Sequence, residues 1–184
     1  MTLNEYQLLA KRTCPSLYEE SNFGSFLDSA HMIYGMISEI PEIINALADK
    51  DRVNLGEELS DIMWYLANYC TFNNIKLQDI VIVSGAKDIY SDRSGISPVV
   101  YYIGELADIE KKELAYKKTY SYDKQVDILQ NLLWYIIKAY RIYDINVYLS
   151  LEKNINKLKV RFPEKFDEEK AVNRDLVSER KVLE

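Results

Sequence analysis

An all-α fold is predicted by three observations. Apolar residues recur at helical spacing over long stretches. Glycine and proline are few, six and four among 184 residues. The breaks between stretches fall at short polar clusters that carry turn chemistry. The predicted architecture is a helical bundle built from two tandem four-helix-type halves, 1–93 and 94–184.

Each element has its own justification. Thr2 to Arg12 reads as a first helix, with Thr2 as N-cap and Glu5 completing a capping box; Cys14-Pro15-Ser16 ends it. A second helix is predicted from Ser25 to Asp49, with Phe26, Ile33, Ile37, Ile40, Ile44 and Leu47 at helical spacing. Pro41 lies inside it and removes one backbone donor, so a kink near Ile37–Pro41 is expected. A third runs from Asn54 to Asn73 with a broad apolar face, and Asn73-Asn74 breaks it. A fourth is expected from Leu77 to Tyr90. Ser91 to Pro98 is the best linker in the chain. Helices over Val99–Lys118, Tyr122–Tyr143 and Asn146–Arg161 follow, and Phe162-Pro163 stops the last. The charged remainder is read as one short helix, Glu168–Leu176, within a tail (Asp167 to Glu184, with Arg174 and Arg180) that either closes over a substrate or is a solvated end, the latter favoured for its last residues.

Composition narrows the function. The chain is 48% hydrophobic and 28% charged, ordinary for a globular protein, with a formal net charge of -6. That balance argues against a nucleic-acid partner, which calls for a basic surface. No stretch approaches the ~18–20 apolar residues needed to span a bilayer, so no membrane partner and a cytoplasmic location are expected. Cys14 and Cys70 make neither a disulfide framework nor a zinc motif. They read as small buried hydrophobes.

The candidate chemistry lies in two carboxylate pairs. Glu39 and Glu42 are three apart on the second helix, and Glu58 and Asp61 are three apart on the third. If the two helices pack antiparallel, as their short connection suggests, four carboxylates converge. Such a set repels itself unless a cation neutralises it. Oxygen-only ligation selects Mg²⁺, with Mn²⁺ as the alternative. Pairs of this kind are common on solvated helix faces. Here they are bordered by Leu59, Ile62, Met63 and Trp64, where an uncompensated carboxylate is costly. Di-iron chemistry is excluded, because the single histidine, His31, belongs to no Glu-x-x-His motif; it reads as structural.

The pattern also repeats. A shift of 70 residues lays Trp64-Tyr65 on Trp134-Tyr135, Leu59 on Leu129, Ile75 on Ile145 and Lys87 on Lys157. In the second copy Glu58 and Asp61 become Ile128 and Asn131. Glu39 and Glu42 become Ile109 and Lys112, or Asp108 and Lys111 with the gap moved by one. The second copy is degenerate, and Glu105 and Asp108 read as solvated residues.

Four segments resemble the MazG-like nucleoside-triphosphate pyrophosphohydrolases. Gly35 to Ile43, containing Glu39 and Glu42, is similar to that family's Glu-x-x-Glu helix, and Glu57 to Leu66 to its Glu-x-x-Asp helix. Asn154 to Phe166, with Lys157 and Arg161, resembles its C-terminal signature. The opening Asn4 to Thr13 is similar to the first helix of many members, phage-encoded ones included. The resemblance implies an all-α fold with four helices in each unit. It implies hydrolysis of (deoxy)nucleoside triphosphates to monophosphate and pyrophosphate, with Glu39, Glu42, Glu58 and Asp61 holding Mg²⁺ as catalytic and metal-binding residues. It further implies that Lys157 and Arg161 offset phosphate charge, that Asn154 hydrogen-bonds the nucleotide, and that the chain forms a homodimer. Trp64 or Tyr65 would line the base pocket, although both read equally well as core aromatics. The chain departs from the family at Pro41, where glycine is common, and in the roughly seventy residues inserted before its Lys-x-x-x-Arg segment. Two other readings stand beside the enzyme: an inactive nucleotide-binding relative, and a helical assembly protein whose tyrosines (101, 102, 116, 120, 122) mark an interface.

Overall fold

The computed structural model describes residues 1–15, 24–81 and 95–184. Among these it contains helices and no strand. α1 is Leu3–Arg12, and its Thr2–Glu5 capping box closes in both directions as predicted. α2 spans Gly24–Asp49 and α3 Arg52–Phe72. Lys50 adopts a positive φ of 56° between them, and the Asp51 side chain accepts from the Asn54 amide at 2.9 Å to cap α3. This tight reversal makes α2 and α3 an antiparallel pair. Ser29 lies beside Asn73 at one end and Gly35 beside Tyr65 further along.

Gly35 leaves room for the Tyr65 ring of α3. A Cβ there would sit 2.0 Å from the Tyr65 ring. α2 runs unbroken through Pro41, which is exposed. The amide that proline lacks is therefore missing on a solvent-facing turn, where a freed carbonyl is less costly than in the core.

The expected fourth helix begins at Leu77, but only a 3-10 turn, Leu77–Ile80, lies among the described residues. The remainder of that expectation, and Ser91–Ser94 of the linker, fall outside them. α4 is Ser97–Tyr116, α5 Tyr122–Ile142 and α6 Val147–Arg161. α3 and α5 are both 21 residues long, and the turns after them match 70 residues apart. Ile75 donates to the Cys70 carbonyl and Ile145 to the Tyr140 carbonyl, both at 2.8 Å. Asn74 and Asp144 have φ of 56° and 53°.

The α2–α3 and α4–α5 pairs pack on each other around one core that includes Met36, Leu59, Met63, Leu106, Leu132 and Ile136. Buried polar ties cross it. Ser60 Oγ and Tyr140 Oη are 2.8 Å apart. α1 lies against α3 and reaches α6.

The tail differs from expectation. Two helices, α7 (Glu168–Val172) and α8 (Leu176–Leu183), replace the short helix and solvated end. Leu183 and Glu179 are buried, because α8 packs on α6. The sequence reading missed this contact, since α8 offers only a short apolar pattern broken by charges.

Candidate metal and phosphate site

The antiparallel pairing of α2 and α3 brings Glu39 opposite Glu58 and Asp61. One carboxylate oxygen from each of the three lies within 4.8 Å of the others. Glu42 lines the same cavity but is exposed and stands outside this cluster. The cavity is open, about 660 Å³ in volume, and collects Glu57, Trp64, Tyr65, Arg161, Phe162 and Phe166 around the carboxylates.

The electrostatics are those of an unbalanced acidic cluster. Burial, reinforced by Asp61, pushes the Glu39 carboxyl up to about 7 and Glu58 up to about 9. The hydrogen bond between them lowers Glu39 and raises Glu58, so Glu58 is the member that keeps a proton.

Asp61 is held from behind by α6. Lys157 Nζ donates to both Asp61 oxygens at 2.8 and 2.7 Å and to Glu57 at 3.1 Å. Asn154 Nδ2 donates to Asp61 at 2.6 Å. Tyr6 Oη lies 3.2 Å from Asn154 Oδ1 and fixes the amide's orientation. Lys157 is 1% exposed and Asn154 0%, and neither lines the cavity. Burial alone would pull the Lys157 ammonium down, but Asp61 and Glu57 outweigh it and hold it above its ordinary value.

Arg161 does line the cavity. Its Nε and Nη2 bind Glu179 of α8 at 2.8 and 2.5 Å. Trp64 also lines the cavity, and its indole donates to Thr13 Oγ at 3.0 Å and meets Tyr65 edge-on at 5.0 Å. It is both a wall of the cavity and a tie to α1. His31 is half-buried near Tyr65 and is not part of the carboxylate cluster. Cys14 and Cys70 are buried and unpaired.

The donor set fits a hard divalent cation. Three carboxylates, two of them resisting ionisation, gain most from an ion that takes oxygen ligands. Glu39, Glu58 and Asp61 are the residues that would hold Mg²⁺ or Mn²⁺.

The positions that the sequence repeat would pair with these carboxylates carry no such cluster among the described residues. Ile128 and Asn131 are buried, and Asn131 donates to the Asp127 carbonyl at 2.7 Å. Asp108 pairs with Lys111 and Lys112 on the surface. The sequence reading passed over Glu110, a buried carboxyl that receives the Tyr69 hydroxyl. Its place on the stripe of Ile103 and Leu106, one turn further on, was the available signal. Glu57 and Glu179 were also missed as parts of the site, and Arg174 was singled out only as part of a tail that could close over a substrate. Glu57 stood beside the recognised pair, whereas nothing in the local sequence marks Glu179.

The bundle sets three clustered carboxylates against an open cavity that Arg161 and Arg174 also line. Residues 28–89, about a third of the chain, match the family model of the MazG nucleotide pyrophosphohydrolase domain. That segment contains all three clustered carboxylates and Glu42. No curated protein and no solved structure matches the chain.

Proposed function

We propose that this chain hydrolyses (deoxy)nucleoside triphosphates between the α and β phosphates, giving the monophosphate and pyrophosphate in a Mg²⁺-dependent reaction. The observation that carries the reading is the convergence of Glu39, Glu58 and Asp61 inside the MazG-matched segment. The bound cation would supply electrophilic activation at phosphorus and neutralise the phosphate oxygens. Glu39 and Glu58 would hold the cation as carboxylates, Glu58 after giving up the proton that burial lets it keep. Asp61 is held in place by hydrogen bonds from Lys157 and Asn154, so these two act through the carboxylate. Arg161 faces the cavity and offsets phosphate charge, and Trp64 and Tyr65 offer flat apolar surface for the base. Glu42, on the cavity wall outside the cluster, is where the attacking water can leave its proton.

Two further readings belong here. The tandem organisation, 1–93 supplying the carboxylates and 94–184 the Lys157/Arg161 segment, is supported by the matching turns after α3 and α5. Pairing into a homodimer is supported by α2, where Tyr34, Ile37, Pro41, Ile44 and Ala48 form an exposed apolar stripe. Their alternating spacing of three and four is that of a helix–helix seam.

The test is pyrophosphate release from a panel of NTPs and dNTPs with Mg²⁺ or Mn²⁺, comparing the native chain with Glu58→Gln. Metal-dependent release lost in the variant is the expected result. Nucleotide binding without turnover by the native chain would replace the enzyme by an inactive nucleotide-binding protein.

A further inference from the structure

The second cationic side chain on the cavity wall comes from the tail, for which the sequence left open closure over a substrate or a solvated end. Arg174 lies in the connection between α7 and α8 and lines the cavity together with Ala171 and Phe166. Its Nη2 donates to Glu179 Oε2 at 2.8 Å. The same carboxylate receives Arg161 in two-point fashion at 2.8 and 2.5 Å. Glu179 is 2% exposed. Burial works against its charge, but Arg161 and Arg174 outweigh that and hold the carboxyl below its ordinary value. Two guanidinium groups sharing one carboxylate leave one positive charge uncompensated, on the wall of a cavity whose other charged residues are carboxylates.

This arrangement is anchored independently of the site. Arg12 of α1 donates to the carbonyls of Phe162, Pro163 and Glu164 at 2.8, 3.1 and 2.7 Å, fixing the chain as it leaves α6. Asp167 caps α7 and Asp175 caps α8. Arg180 pairs with Asp51 at 3.2 Å, and Lys153 binds the Leu183 carbonyl at 2.5 Å. The connection bearing Arg174 is therefore held in place at both sides. Arg161 spends its Nε and Nη2 on Glu179, and Arg174 spends its Nη2. Their remaining donors belong to side chains that border the cavity. A guanidinium with free donors beside a cation-binding cluster is suited to phosphate oxygens.

We propose that Arg174 and Arg161, paired through Glu179, form the subsite for the phosphates of the leaving pyrophosphate, with Glu179 as the positioning residue that holds both. The proposal rests on the pyrophosphohydrolase reading above and adds the α7–α8 segment to the site. The shared carboxylate overcomes the repulsion of two like charges brought to one place. Without it, each arginine is free to turn to solvent, and the cavity loses its preorganised charge.

The experiment uses the full chain and inorganic pyrophosphate with Mg²⁺ as the probe, followed by calorimetry. The native chain should bind it. Arg174→Gln should weaken binding roughly 10- to 100-fold, the loss of one charge-assisted contact, and Arg174→Lys should recover part of that. Glu179→Gln should weaken pyrophosphate binding similarly. In all three variants the rise in melting temperature caused by Mg²⁺ alone should persist, a readout that a merely structural role for α8 would not separate from phosphate binding. Arg174 is on the surface of the cavity, so its variants report even if Glu179→Gln melts early. Arg174→Gln binding pyrophosphate within twofold of the native chain, with the Mg²⁺ response intact, overturns this proposal alone. A native chain that responds to neither Mg²⁺ nor pyrophosphate overturns the pyrophosphohydrolase reading and this one with it.

Discussion

Replacing Lys157 by methionine keeps the aliphatic stem and removes the one buried cation behind Asp61. Breaking a buried ion pair from one side costs ~3–5 kcal/mol, because the partner is left charged and dry. Here the orphaned partners are not fully dry, with side-chain exposures of 24% for Asp61 and 14% for Glu57. Water reaches them and reduces the penalty to ~2–3 kcal/mol. For a chain of this length that is a fall in melting temperature of roughly 5–10 °C. The same substitution makes the cluster more negative, so Mg²⁺ should bind more tightly and restore part of the loss. The assay is a thermal melt in chelator and in Mg²⁺. A variant that melts within ~1 °C of the native chain, scaled by the same relation, with unchanged Mg²⁺ response but weakened nucleotide binding, would refute the reasoning. Lys157 would then contact phosphate itself.

Two other predictions follow from the cluster and from α2. Glu39 and Glu58 are raised from 4.5 to about 7 and about 9, so between those values the folded chain holds more protons than the unfolded one. Their contribution is complete below pH 4.5 and is lost as pH rises through 7 towards 9. His31, lowered by burial, works in the opposite sense. The readout is therefore the difference between native chain and Glu58→Gln in chelator, with the variant gaining relative stability as pH rises. A constant difference would show that Glu58 does not hold the proton, and Mg²⁺ should erase the trend in the native chain. On α2, Ile37→Glu with Ile44→Glu should convert a sedimenting dimer to monomer with helicity retained. A native chain that already sediments as a monomer at micromolar concentration would remove the dimer.

How much of this was legible depended on how local the signal was. The Thr2 cap, the end of α3 at Asn73 and the placing of Glu39, Glu58 and Asp61 on helix faces were readable, because each is set by spacing within one helix; the start of α3, two residues before the expected Asn54, was not. Glu42 was expected in the same cluster, yet spacing alone could not say how far a side chain three residues from Glu39 reaches across the helix pair. Lys157 and Asn154 were found, but their direction was not: whether a lysine meets phosphate or carboxylate is decided by the packing of α6 on α3. α8 was invisible for a related reason. Its burial rests on Leu183 and on Glu179, and a carboxylate becomes an inward-facing residue only when two arginines from elsewhere are present to receive it.

The tie from Tyr6 through Asn154 to Asp61 spans nearly the whole chain, 148 residues between its first two members. The carboxylates are therefore synthesised well before the residues that balance them. Until α6 emerges, α2 and α3 bring together acids that repel, without the Lys157 ammonium that pairs with Asp61 and Glu57. A nascent chain at that stage would find its counter-charge in ambient divalent ions. The metal suited to the finished site would then also favour the hairpin that has yet to receive its lysine.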